Sequence, residues 1–218
     1  MSEFFQNYLA PTKTVYSMWI IMAVLVLVSI LCTRNLKTVP GPLQNIAEMA
    51  VSGLQSFYEG VLGREKTRKY FPILATFFVF IIVCNYCGLL PGAGELFTVP
   101  TSILAVTSAL AVISFVLIQS QGIKHHGVGK YLLTFFKPVA FLAPIMLMEQ
   151  FTRPISMALR LYGNISGEEL AADTLYGLFP ILLPIVMNVL SLLFCFIQAM
   201  VFSMLMAVFL DEATSDEE

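Results

Sequence analysis

The sequence predicts an all-α integral membrane protein. It should have about five membrane-crossing helices, the last two forming a long tilted hairpin, and one amphipathic helix lying at the interface. Three observations carry this expectation. Of the 218 residues, 58% are hydrophobic and only 12% charged, about half the usual charged share. The apolar residues fall in runs of roughly 18 or more, enough at 1.5 Å per residue to cross a hydrocarbon core of ~30 Å. The one segment with distinct polar and apolar faces repeats at the period of a helix. A net charge of −2 argues against nucleic-acid binding or a polybasic role.

The chain reads as a single membrane domain, 1–218, in three parts: 1–69, 70–137 and 138–218. Residues 1–14 are a short polar lead. The run Val15–Cys32 is long enough to span. It lacks a basic leading region and a small-residue cleavage site, and Arg34 and Lys37 follow it, so it reads as a retained first helix and not a signal peptide. Pro40-Gly41-Pro42 breaks the chain. Beyond it Leu43, Ile46, Ala47, Ala50, Leu54, Phe57, Tyr58 and Val61 recur with a helical period, opposite Gln44, Asn45, Glu48, Ser52, Gln55 and Glu59. This helix is too polar to span and should lie on the membrane face. The basic cluster Arg64–Lys69 ends it and reads as a topological anchor.

Tyr70–Leu90 is the second span, closed by Pro91-Gly92, and Thr101–Ile118 is the third. The loop between them holds Glu95 and no basic residue. Gly122–Lys137 reads as a loop carrying Lys124, Lys130 and Lys137. Basic residues thus collect at Arg34–Lys69 and Lys124–Lys137, which the positive-inside rule makes cytoplasmic. The N-terminus and the Glu95 loop are then outside, and the acidic tail Asp211–Glu218 inside. In the last third, Pro138 to about Ala172 and Leu175–Leu210 are two long helical stretches joined near Asp173–Gly177. The second would reach ~54 Å as a straight helix, nearly twice the hydrocarbon thickness, which implies tilt or bending.

Cys84 and Cys87 read as small apolar residues on one helix face, since no strand-turn context surrounds them; no disulfide or metal site is expected from the four cysteines. The adjacent His125 and His126 read as solvent-facing loop residues.

The chemistry concentrates at Arg153-Pro-Ile-Ser-Met-Ala-Leu-Arg-Leu-Tyr-Gly-Asn164, followed by Gly167-Glu168-Glu169. An arginine at membrane depth costs about 3 kcal/mol on insertion scales and demands a reason. At 100° per residue Glu149, Arg153, Ser156, Arg160, Asn164 and Gly167 share one side of a helix. Glu149 and Arg153 can pair at i, i+4. Arg160 has no such partner, its neighbours at that spacing being Ser156, Met157, Gly163 and Asn164. It either snorkels, meets a carboxylate of its own chain, or awaits one on another helix. Ser156, Gly163 and Gly167 make the same face small, which permits close approach of another helix. Tyr162, Ser166, Glu169 and Asp173 form a second stripe nearly opposite Arg160. Asn188, Ser191, Cys195 and Gln198 form a third on the last helix. Such stripes either tie helices together or relay protons.

This motif resembles the signature of subunit a of F-type ATP synthases, the membrane stator facing a rotating ring of c subunits. The resemblance continues through Ser17-Met-Trp-Ile-Ile-Met, Phe71-Pro-Ile-Leu-Ala-Thr-Phe-Phe, Asn85-Tyr-Cys-Gly-Leu-Leu-Pro-Gly, Pro100-Thr and Gln198-Ala. It implies a stator in the cell inner membrane. Its partners would be the c-subunit ring, the peripheral-stalk b subunits, the rest of the ATP synthase and the lipid bilayer, with no cofactor. Arg160 would be the ion-translocation arginine, with Asn164 and Gln198 near it. Glu169, or alternatively Glu168, would belong to an aqueous path from outside, with Asn85, Glu95, Asn188, Ser191 and Asp173 as further path residues. Two positions depart from the family: Ser191 stands where many relatives carry a histidine or acid, and Ile103 and Ala105 where many carry an acid or asparagine. The inlet is therefore lined differently here. The choice between proton and sodium lies with the ring. No Gly-x-x-x-x-Gly-Lys phosphate loop is present, so nucleotide binding is not expected of this chain. A rival reading is a self-contained secondary transporter using Arg160 to bind an anion, but the sequence lacks repeated halves with matching broken segments.

Overall fold

The computed structural model describes residues 13–34, 41–89, 99–127, 143–176 and 182–215. Among them there are five long helices and no strand: α1 (Lys13–Thr33), α2 (Pro42–Tyr86), α3 (Leu104–His126), α4 (Ala143–Tyr176) and α5 (Leu182–Thr214). Single 3-10 turns at Cys87–Leu89 and Pro100–Ser102 continue α2 and precede α3. By length and composition, stretches of α1, α2, α3 and α5 are apolar enough to cross a membrane. The remaining helix, α4, is long enough at 34 residues but carries the charged motif.

Several boundaries differ from the sequence expectation. The first span begins at Lys13, inside the expected polar lead. The amphipathic segment and the second span form one element, broken at Gly63, where φ is 71° and ψ is 166°. That left-handed backbone is cheap only for glycine, so the break falls there and not at the following basic cluster. The third helix runs past Ile118 to His126, so Gly122 and Lys124 are helical and not in a loop. Gly122 is buried in the helix interior, and the stop is Gly127, at φ 79°, whose N–H bonds the Ile123 carbonyl at 2.8 Å. His125 and His126 therefore sit on the last helical turn and touch each other edge to face. Asp173 and Thr174 still belong to α4, which places the hairpin connection after Tyr176. Asp211 and Glu212, expected in the acidic tail, form part of α5.

The core lies among α2, α3, α4 and α5. Tyr58, Leu62, Tyr70, Leu74 and Ile81 of α2 meet Leu110 and Ile118 of α3, Met157 and Leu161 of α4, and Phe202, Met206 and Leu210 of α5. Phe77 stacks on Phe202 with ring centroids 6.2 Å apart. Small residues sit where helices approach: Ala111, Ser114, Ala158, Ala199, Ser203 and Ala207 are all buried. Lipid is as apolar as a leucine surface, so close packing and polar ties carry helix association in a membrane. In contrast, α1 buries little beyond Thr14, Ser17 and Ile21 and exposes Trp19, Val26, Leu27 and Leu31. Straight helices of 33 and 34 residues, as α5 and α4 are, measure about 50 Å and outrun a ~30 Å hydrocarbon layer.

Candidate functional site

The rotation of α4 is set by its apolar residues. Met157, Ala158, Leu161 and Ile165 are buried against the neighbouring helices, which turns Ser156, Leu159, Arg160, Gly163, Asn164 and Gly167 outward. A Cβ placed on Gly163 or Gly167 would meet none of the described residues within 4 Å. Among the described residues Arg160 makes no hydrogen bond or ion pair. No described carboxylate of its own chain neutralises it. The arrangement is a lone cation on an open shelf of small residues.

Beside that shelf, polar side chains join α4, α5 and α2. The Asn164 amide Nδ2 donates to Gln198 Oε1 on α5. Gln198 is 2% exposed, and its own Nε2 has no acceptor among the described residues. Towards the other end of α5, Asn85 Nδ2 donates to the Cys195 carbonyl at 3.3 Å, and Tyr86 Oη to the Leu192 carbonyl at 3.4 Å. The Asn85 Oδ1 is buried and unpaired among the described residues. Ser166 Oγ donates to the Ser102 carbonyl at 3.2 Å, tying α4 to the turn before α3. Buried polar groups are nearly always satisfied. A seam with a donor to spare at Gln198 and an acceptor to spare at Asn85 has hydrogen-bonding capacity left over, the setting in which buried water is found.

The stripe expected on the last helix is divided. Ser191, Cys195 and Gln198 are buried, whereas Asn188 is exposed. Asn188 lies within about 20° of the buried Cys195 by angle, so its exposure reflects its place nearer the N-terminal end of α5 and not its side of the helix. On α4, Ser166 packs against the Pro100–Ser102 turn, and Tyr162 is half-buried. Glu95 lies outside the described residues, as do the side chains of Glu169 and Asp173. No group of three or more histidine, cysteine or acidic side chains suited to a metal gathers among the described residues.

Three polar ties escaped the sequence reading. Arg153 reaches Glu149 at 2.8 Å as expected, but it also grips Glu212 of α5 with two parallel bonds of 2.7 Å and lies over the Phe209 ring. Lys66 turns inward to bond Asp211 at 2.6 Å and Ser215 at 3.1 Å, so it is more than part of a surface anchor. Gln119 Nε2 donates to Gln150 Oε1 at 2.7 Å, joining α3 to α4. The charge sorting held a usable signal for the ion pairs. It put the Arg64–Lys69 cluster and the Asp211–Glu212 pair on the same side of the membrane, where opposite charges on neighbouring helix ends can meet.

A family profile described as ATP synthase A chain matches residues 15–211. The chain is 40% identical to a protein called ATP synthase subunit a 3 from Pelobacter propionicus, over 95% of this chain and 93% of that one. It is 39% identical over the same shares to ATP synthase subunit a of Geotalea daltonii. The corresponding protein of Geobacter sulfurreducens is 37% identical, again over 95% and 93%.

Proposed function

The chain belongs to the ATP synthase A chain family, and from that premise we propose how this all-α, multi-pass membrane protein acts as a stator subunit of the F-type complex. It offers two ion half-channels on either side of Arg160 to a ring of c subunits, and so couples proton translocation to ATP synthesis. The peripheral-stalk b subunits hold it against rotation. It sits in the cell inner membrane, N-terminus outside and C-terminus in the cytoplasm, and the overlong α4–α5 hairpin runs aslant along the ring.

The observation that supports this best is Arg160 itself, exposed and unpaired among the described residues on a shelf formed by Ser156, Gly163 and Gly167. A charge so placed at membrane depth calls for a counter-charge from outside the chain. In this mechanism a proton enters from outside through a path lined by Asn85, Glu168 or Glu169, and Ser191, with Glu95 at its mouth and Asn188 and Asp173 beside it. It neutralises a ring carboxylate. The neutral carboxyl turns through lipid, where its charged form would cost several kcal/mol. When it completes the circuit and meets Arg160, the guanidinium favours the charged carboxylate and the proton leaves by the cytoplasmic half-channel. Asn164 sits beside the arginine on the same face and ties that face to the buried Gln198 of α5 behind. A fixed cation between the half-channels also repels a proton that would otherwise leak straight through. Each proton crossing 100 mV releases ~2.3 kcal/mol, so several crossings drive one synthesis event elsewhere in the complex.

Arg160→Ala tests this in membranes carrying the assembled complex. ATP-driven proton pumping should disappear while assembly is largely retained, and passive proton leak should rise. Pumping at the parental rate would sink the proposal.

A further inference from the structure

The turn of α4 just before the arginine shelf contains Pro154. Proline has no N–H, so the carbonyl of Gln150 loses its normal i+4 partner and the helix is free to bend there. The structure holds this turn from two sides. Gln150 receives a hydrogen bond of 2.7 Å from Gln119 on α3. Arg153 bridges Glu149, four residues back, and Glu212 on α5. The guanidinium fork takes both carboxylate oxygens of Glu212 in the bidentate geometry that fixes orientation as well as distance. Its flat face rests 4.8 Å from the centre of the Phe209 ring, and the Arg153 side chain is only 16% exposed. One helix turn further along α5, on the N-terminal side of Asp211, begins the buried run Met206, Ala207 and Leu210. Lys66 fixes Asp211 to α2. The partner that Arg153 grips is therefore itself anchored.

We propose that Arg153 is a positioning residue: by bridging Glu149 and Glu212 it braces the proline-opened turn of α4 and sets where Arg160 is presented. The inference rests on the role of Arg160 given above. Arg160 lies six residues beyond Pro154, about 9 Å along the axis, so a change of about 10° at Pro154 displaces it by about 1.6 Å. Carboxylate–guanidinium pairing is steep over such distances.

The test uses the intact complex in inverted membrane vesicles and reads proton pumping per ATP hydrolysed. Glu212→Gln keeps the shape of the side chain and removes its charge; pumping per ATP should fall by about three- to tenfold with hydrolysis and subunit abundance preserved. An exchanged pair, Arg153→Glu with Glu212→Arg and with Glu149→Gln to remove repulsion, should restore pumping to within about twofold of the parent. Normal coupling in Glu212→Gln would overturn the proposal. So would loss of the assembled complex, which would make the pair a folding contact only, or an exchanged pair that assembles but stays uncoupled. Arg160→Ala runs alongside: if that variant pumps normally, the role of Arg160 itself has failed, whereas an inactive Arg160→Ala beside a fully coupled Glu212→Gln refutes only the brace.

Discussion

Gly163→Leu and Leu161→Ala should fail in opposite ways, although the two residues are neighbours on one helix. Nothing among the described residues approaches a Cβ at Gly163. Replacing an interior helical glycine with leucine there should, if anything, favour the helix by about 0.8–1 kcal/mol. The penalty falls on whatever helix approaches the shelf. Helix axes pack about 8 Å apart over small residues and about 10 Å apart over large ones. A retreat of ~2 Å takes an Arg160–carboxylate pair from about 4 Å to about 6 Å, and its attraction at an effective dielectric near 20 from about 4.2 to about 2.8 kcal/mol. The loss of about 1.4 kcal/mol corresponds to one pKa unit on the ring carboxylate, or tenfold in its release equilibrium. Leu161 is 0% exposed in the core. Its truncation should cost about 2–5 kcal/mol of stability through the cavity it leaves. Abundance by immunoblot, ATP hydrolysis, and ATP-driven quenching of a pH-sensitive dye separate the two effects. Gly163→Leu should keep its abundance and lose about tenfold in coupling; Leu161→Ala should lose abundance while the surviving complexes stay coupled. Normal coupling in Gly163→Leu, or loss of abundance in both variants alike, would refute the open-shelf reasoning.

Gly88→Ala should destabilise the chain, because the added Cβ would stand 2.8 Å from Val99 Cγ2 in a small cluster with Ile165 and Cys195; a lower unfolding temperature of the detergent-solubilised complex checks this, and rescue by Val99→Ala would identify the clash. For orientation, a cysteine at Glu95 should react with an impermeant thiol reagent from outside only, and one at Arg64 or His125 from inside only. Arg64 suits this assay because its side chain is 91% exposed, whereas Lys66 is engaged with Asp211. Cysteines at Ser156, Gly163 and Gly167 should crosslink to the carboxylate-bearing ring helix, and one at Ser166, which packs on the Ser102 carbonyl, should not. Equal yields from both sets would rule out the two-face reading of α4.

Helical class and family could be read before any coordinates because both rest on local signals. Apolar runs are as long as the layer they cross, and the Arg153–Asn164 motif is contiguous. The exposed position of Arg160 also follows from periodicity, since Met157, Leu161 and Ile165 fix the buried face. What could not be read was set by contacts between distant residues. Glu212 looks like part of a solvated acidic tail until α5 brings it alongside Arg153, 59 positions earlier in the chain. Gly122 and Gly127 are equally good candidates to end α3. Only packing decides between them, burying the first inside the helix and leaving the second to adopt a positive φ. The same holds for the stripe on α5. Residues 188, 191, 195 and 198 can share a side by angle, but where the neighbouring helices end determines which of them is covered.

The break at Gly63 has a mechanical meaning. A glycine with φ of 71° between two helical limbs would ordinarily be a loose joint. Here Tyr58 and Leu62 just before it, and Thr67 and Tyr70 just after it, are all buried, most of them in the same core. The joint is therefore welded on both sides. A sideways load on the amphipathic limb cannot be absorbed by swivelling at one residue; it passes into the second limb of α2 and, through Phe77 and Phe202, into α5. For the stator role proposed above, such a corner would serve as a gusset, turning a sideways push on one limb into a strain shared by the whole helix bundle.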